Sequence, residues 1–275
     1  MRALATIAMK EFRDGLRNRW VTAAVLLLAG LALAVTFLGS APVGTVKATR
    51  LAITVVSLAS LSGYIVPLIA LMLSFNAIVG EVERGTMLLL LSYPISRWQV
   101  IGGKFLGHLA ILAVAVVIGY GAAGLALVLL ADTAGEDVAA LLGLMGSSVL
   151  LGAVFLMLGY LVSALSRENA TAIGLSVGLW LAIVVLYDIA LLGILMADTG
   201  QAIGEQAFAW LLIVNPVDAF RVFNLTQFAN VEAVAGLTGF GKSAVVAPSL
   251  AFAAMASWVV AAGLLALARF QWSET

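Results

Sequence analysis

Cysteine is absent, and histidine occurs once, as His108. Without thiols the chain has no disulfide, no thiol switch and no thiolate relay for soft metal ions. Methionine could serve as a soft ligand, but Met72, Met145, Met157, Met196 and Met255 are scattered through or near different apolar runs, as gap-filling residues are. No metal site is assigned. Charge is also scarce: 10% of the 275 residues are charged, 63% are hydrophobic, the formal net charge is zero and the mean hydropathy is +1.15. Soluble domains carry about 25% charged residues, so this composition excludes one. No hydrophilic block is large enough to be an ATPase domain, and no nucleic-acid partner is expected.

Long apolar runs dominate what remains. A spanning helix needs roughly 20 apolar residues, and runs of that kind lie at about 20–38, 51–80, 105–130, 139–164, 170–196 and 248–268. The expected fold is therefore an all-α integral membrane bundle of six transmembrane helices, a single domain over 1–275. Lys and Arg are retained on the cytoplasmic side. With the N-terminus inside, Arg2, Lys10, Arg13, Arg17, Arg19, Arg84, Arg97, Lys104, Arg167 and Arg269 are cytoplasmic, whereas only Lys47, Arg50, Arg221 and Lys242 lie outside. The expectation is N-in and C-in. The first run is preceded by basic residues, as a signal sequence is, but it exceeds the usual 7 to 15 apolar residues and reads as a permanent anchor. Before it, Ala8, Phe12, Leu16 and Trp20 recur every four residues among cations, which predicts an amphipathic helix over 1–19 lying in the membrane surface.

The segment EVERGTMLLLLSYPISRWQVIGGK, residues 81–104, joins the second and third runs on the inner side. It holds a charged cluster at Glu81, Glu83 and Arg84, a helix breaker at Gly85, an apolar patch from Met87 to Leu91, a stop at Ser92-Tyr93-Pro94 and a new helix start with Ser96 as N-cap. The patch reads either as a docking surface or as a segment dipping into the membrane interface.

Ionisable groups inside the apolar runs are few: Asp188 in the outer half of the fifth and His108 near the inner end of the third. Each is a functional candidate because charge in lipid is costly; a paired or hydrated Asp188 and a snorkelling His108 are the structural alternatives. So short an inventory argues against a proton-coupled relay. The glycines of the third and fourth runs (Gly119, Gly121, Gly124, Gly143, Gly146, Gly152, Gly159) permit close helix approach, within one chain or between copies. Residues 197–247 are too long for a plain connection, and their aromatic pieces predict short helices re-entering or capping the outer leaflet. Within them GLTGFGKS, residues 236–243, fits the phosphate-loop pattern G-x-x-x-x-G-K-[ST]. The required flanking strand, magnesium-binding acid and cytoplasmic placement are missing, so the match reads as accidental.

An amphipathic first helix, six apolar runs, the inner-loop pattern E-x-E-x-G-T-x-x-x-L-L-x-x-P-I-S-R followed by Gly-Lys, and a long last outer loop resemble permeases of the ABC-2 type over essentially the whole chain. Among these the chain is most similar to the membrane subunits of ABC complexes that assist maturation of the copper centres of nitrous oxide reductase. The resemblance implies a multi-pass protein of the bacterial inner membrane with no catalytic site of its own. It implies a homodimer docked on two cytoplasmic ATPase subunits that bind ATP and magnesium, with a periplasmic maturation protein on the outer cap. It assigns the coupling loop to residues 81–104, with Glu81, Glu83, Arg84, Gly85, Thr86, Pro94, Ser96, Arg97 and Lys104 as its expected coupling residues; Ser166, Arg167 and Glu168, between the fourth and fifth runs, could add a smaller contact, but so short a loop reads better as a plain turn. Export of a lipid, drug or other amphiphile remains an alternative function, and a stand-alone channel or scaffold is an alternative of another class.

Overall fold

A computed structural model describes residues 2–38, 50–130, 135–197, 204–226 and 246–272. Every regular element among these described residues is helical. In chain order they are α1 (Arg2–Leu16), α2 (Arg19–Leu38), α3 (Arg50–Ser74), α4 (Val79–Glu83), α5 (Thr86–Leu91), α6 (Arg97–Leu130), α7 (Gly135–Leu165) and α8 (Asn169–Trp180). A π-helical stretch, Leu181–Leu186, leads from α8 into α9 (Tyr187–Ala197), followed by α10 (Glu205–Val214), α11 (Pro216–Leu225) and α12 (Pro248–Trp272). The phosphate-loop-like residues 236–243 lie outside the described residues.

Five stretches are long and apolar enough to cross a membrane: Thr54–Glu83, Arg97–Ala126, Val138–Leu165, Asn169–Ala197 and Pro248–Trp272. Two bent pairs bring the number to as many as seven, α1 with α2 at 69° and α10 with α11 at 114°. The chain is thus an all-helical integral membrane protein. The run at 51–80 is not one uninterrupted helix, because regular helix breaks off at 75–78 before α4. Two serines hold that turn: Ser74 donates to the carbonyl of Ala70, and Ser163 of α7 accepts the N–H groups of Ile78 and Val79, each at 3.0 Å. Those donors open α4 and have no intrahelical partner. The third helix begins eight residues before the apolar run, at Arg97. Gln99, three residues after Ser96, returns its side-chain oxygen to the Ser96 N–H at 3.1 Å, which is half of a capping box. The helix start expected at Ser96 is thus present, and Trp98 to Lys104, within the 81–104 segment, form the opening turns of α6.

α7 is the centre of the bundle, with 67% of its apolar stretch buried, and packs against α3, α12, α6 and α11. Small residues set these approaches. A Cβ on Gly152 would overlap Leu112 of α6, and one on Gly159 would overlap Ser74 of α3. Gly119 faces the backbone of Ala29 in α2, and Gly124 faces Leu141. These four glycines pack within the chain, whereas Gly121 and Gly146 meet nothing. Tyr120, Phe155, Phe220 and Leu112 fill the main core, in which the Tyr120 hydroxyl and Ser62 share a hydrogen bond.

Candidate functional site

The two ends of the described chain and the 81–104 segment meet at one end of the bundle. Ile7 of α1, Met87 of α5, Val100 and Ile101 of α6, Tyr160 of α7 and Phe270 of α12 share one apolar cluster. α1 lies across α6 at a place made by glycine. A Cβ on Gly103 would stand 2.8 Å from Ile7 and 3.0 Å from the Leu4 carbonyl, and one on Gly107 would stand 2.8 Å from the Ala8 carbonyl. The face of α1 that α6 holds is therefore Leu4, Ile7, Ala8 and Glu11, rotated from the Ala8, Phe12, Leu16 stripe that periodicity suggests; Leu16 is half exposed.

That rotation is explained by charge. Lys104, 3% exposed, sits between Glu11 of α1 and Glu81 of α4, with its ammonium 2.8 Å from Glu11 Oε1 and 2.7 Å from Glu81 Oε1. His108, one turn further along α6, places Nε2 3.8 Å from Glu11 Oε2, and its Nδ1 shares a 2.6 Å hydrogen bond with the Tyr160 hydroxyl. Burial pushes the Glu11 carboxyl up, but the charge and hydrogen bond of Lys104, with Lys10 and His108, outweigh it and hold Glu11 below the usual carboxylate range. A buried ammonium is tolerated only when paired in this way. Glu81 and Lys104, both expected among the coupling residues, thus form an internal tie rather than an exposed patch, and His108 is buried on the same tie instead of snorkelling.

The rest of the loop is built outward from this base. Arg84 donates from Nε to the Gly80 carbonyl at 2.7 Å, and Thr86 donates to the Glu81 carbonyl at 3.2 Å. Gly85 adopts φ 69°, a left-handed conformation that glycine takes without strain, at the break between α4 and α5. α5 then divides its apolar residues: Met87 is buried, while Leu88 and Leu89 point out at 61% and 67% exposure. Tyr93 and Trp98 are exposed beside Pro94 and Ser96, completing an apolar and aromatic surface. Arg97 faces the other way. Its Nη1 donates to the carbonyls of Phe270 and of Gln271, the latter at 2.9 Å, and its guanidinium lies 5.2 Å from the Phe270 ring centre. A cation on the last carbonyls of a helix is favoured by their partial negative charge.

Glu83 makes a link that the sequence did not suggest. Glu168 holds the N-cap position of α8 but makes no side-chain cap. Instead Glu83 reaches over from α4, accepting the Asn169 backbone N–H at 2.7 Å and its side-chain amide. In the short loop between the fourth and fifth runs, Ser166 donates to the Val162 carbonyl, and Arg167 and Glu168 are exposed.

Asp188 lies elsewhere, toward the other end of the α8–α9 helix. Its Oδ2 is 2.7 Å from Arg221 Nη1 of α11, which is also 2.9 Å from Asp218 Oδ1. The Arg221 guanidinium stands 5.1 Å from the Tyr64 ring centre. Asp188 is therefore paired, and Arg221, read from sequence only as an outer cation, is the hub of its cluster. Among the described residues no group of three His, Cys, Asp or Glu side chains is arranged to hold a metal ion.

A chain of membrane helices with a pinned loop carrying an exposed apolar surface matches the family model of the ABC-2 family transporter protein over residues 5–274. This chain belongs to that family. It is 45% identical over 270 residues to the "Probable ABC transporter permease protein NosY" of Pseudomonas aeruginosa, covering 97% of each chain. It is 41% identical over 275 residues to the protein of the same name from Stutzerimonas stutzeri, covering 98% of this chain and 99% of the relative. It is accordingly an ABC-2 permease, a multi-pass protein of the inner membrane.

Proposed function

We propose that this chain is the membrane-spanning subunit through which a separate cytoplasmic ATPase performs transport or mechanical work at the periplasmic side, in assembly of the copper sites of nitrous oxide reductase. One observation carries the coupling part of this reading: Leu88, Leu89, Tyr93 and Trp98 are exposed on a loop whose base is fixed to α1, α6 and α12. A docking surface needs apolar area to bind and a rigid mount to transmit force. The role in copper-site assembly rests on the overall resemblance and on the name that both relatives carry.

In this reading ATP and magnesium are bound by the ATPase, and this chain has no catalytic residue. Two copies form the transporter, each with its own ATPase. Six spans place both termini in the cytoplasm, with α1 as the interfacial helix; the gathering of α1, the loop and the end of α12 at one end of the bundle supports that topology. The α10–α11 hairpin then lies at the outer leaflet, where a periplasmic maturation protein docks on it. Within 81–104, Glu81, Lys104, Gly85, Thr86 and Arg97 hold the mount, Pro94 and Ser96 shape the turn into α6, and Glu83 and Arg84 are the charges a docked ATPase meets. The test is co-purification of the detergent-solubilised chain with the ATPase encoded beside it. The unmodified chain is expected to retain the ATPase, and Leu88→Glu with Leu89→Glu to lose it. Failure of the unmodified chain to associate overturns the reading.

A further inference from the structure

α1 is held along one side, which its contacts fix: Leu4, Ile7, Ala8 and Glu11 lie on α6 at Gly103 and Gly107, and Gly15 faces Ile111. At about 3.6 residues per turn, the rest of its surface divides into three stripes. Beside the held side run Ala5, Met9, Phe12 and Leu16, of which Met9 and Leu16 are half exposed. Opposite the held side stand Arg2, Arg13 and Arg17, all exposed. On the remaining flank are Lys10 and Asp14, which pair at 3.5 Å, while Lys10 also reaches Glu11 at 3.3 Å. Because α1 is rotated from its apolar periodicity, the apolar stripe is left for a surface other than α6.

The order of these stripes is that of a membrane surface. With the apolar stripe against acyl chains, the compensated Lys10–Asp14 pair faces water, and the arginines stand between them, at the depth of the headgroups. Arg13 and Arg17 enter no ion pair among the described residues. They lie one turn apart, with Cβ atoms about 5 to 6 Å from each other, so two guanidinium groups can grip one phosphate, each with paired N–H donors. We propose that Arg13 and Arg17 form a binding site for the phosphate of an anionic phospholipid of the inner leaflet. The inference rests on the reading of α1 as the interfacial helix on the cytoplasmic side. A zwitterionic lipid offers the same phosphate but brings an ammonium that adjacent guanidinium groups repel, so the site selects a lipid of net negative charge. An acidic protein surface would satisfy the cations alone, whereas acyl chains also cover Met9, Phe12 and Leu16. Lipid and α6 then hold α1 from opposite sides, the one through the arginines and the other through Glu11 on Lys104.

The test titrates the detergent-solubilised full chain with dioleoylphosphatidylglycerol or dioleoylphosphatidylcholine and reads bound lipid by native mass spectrometry. The parent is expected to bind phosphatidylglycerol at least fivefold more tightly than phosphatidylcholine. Arg13→Gln with Arg17→Gln is expected to weaken phosphatidylglycerol binding about 25-fold, the factor for two cations at an anionic surface, and to leave phosphatidylcholine binding unchanged within about twofold. Each single variant, expected to lose about fivefold, repeats the test should the double variant fail to fold. Arg167→Gln removes an exposed cation from the 166–168 turn, away from α1, and is expected to change neither affinity. The placement of α1 is read separately: with no native cysteine, Leu16→Cys carries a spin label whose accessibility to oxygen and to a water-soluble nickel reagent gives its depth in phosphatidylcholine–phosphatidylglycerol vesicles. A label in water removes the interfacial reading and the proposal with it. A label at the acyl boundary, together with unchanged phosphatidylglycerol affinity in the arginine variants or an equal loss in Arg167→Gln, overturns the proposal alone.

Discussion

Lys104 Nζ and Glu81 Oε1 lie 2.7 Å apart inside the chain, and Glu11 Oε1 completes the set at 2.8 Å. This tie joins three helices that are far apart in sequence, so its energy is released only when all three are in place. Truncating the central cation leaves the two carboxylates with only the exposed Lys10 ammonium, 3.3 Å from Glu11 Oε1, to offset them. Lys104→Met is therefore expected to destabilise the fold by about 3 to 5 kcal/mol, the range for breaking a buried ion pair. Adding Glu11→Gln and Glu81→Gln to Lys104→Met is expected to recover part of the loss, because the uncompensated charges go with it. Thermal unfolding in one detergent, compared across the variants, checks both outcomes.

The same tie has a pH limit set by Glu11. Lys104, Lys10 and His108 together hold the Glu11 carboxyl below its value in the unfolded chain, despite burial acting in the other direction. A depressed carboxylate contributes its stability fully above the unfolded pKa, about 4.3, and loses it as pH falls through the folded value. The melting temperature of the parent is expected to exceed that of Glu11→Gln by a constant margin between pH 6 and 8, on the order of a few degrees. The margin is expected to shrink below about pH 4. Melting curves across that range measure it; a margin that grew in acid would show that Glu11 is not the group that pins α1.

Arg97 gives a more local prediction. Its guanidinium satisfies carbonyls at the end of α12 and lies over Phe270, so Arg97→Ala removes a charged hydrogen-bond donor and a stacking partner together. The cost is expected to be about 1.5 to 3 kcal/mol and to appear first as fraying of the last turn of α12. Hydrogen exchange by mass spectrometry reads this as loss of protection in the peptide ending at Trp272, with α3 unchanged.

Much of the fold was legible because the strongest sequence signal, long apolar runs, is also the strongest physical constraint in a membrane. Helices cover every run, and the start of α6 was encoded by Ser96 and Gln99. What stayed hidden depended on long-range pairing. Lys104 looked like a loop cation because its partners lie 93 and 23 residues away. Glu11 was the quiet signal, an acid on the mostly apolar face of a basic helix, and Asn169 gave none, since its cap comes from a different helix. Arg221 read as a topological cation because sequence cannot show that Asp188 and Tyr64 converge on it. The break at 75–78 was equally invisible, for Ser163 supplies the hydrogen bonds that make it cheap.

Glycine offers the sharpest contrast between packing inside the chain and open faces. Gly103 is a residue of α6 where α1 approaches so closely that a Cβ would meet both the Ile7 side chain and the Leu4 carbonyl. A backbone carbonyl cannot rotate away as a side chain can, so Gly103→Val is expected to push α1 off α6 and strain the Lys104–Glu11 pair with it. Overpacking of this kind costs about 1 to 3 kcal/mol. Gly121 lies on the same helix with nothing within 4 Å of its added Cβ. There alanine gains helix propensity without a clash, so Gly121→Ala is expected to stabilise by up to about 1 kcal/mol. Melting temperatures of the two variants test the pair of signs. Destabilisation by Gly121→Ala would mean that a second surface, which this chain alone does not provide, packs against that side of α6.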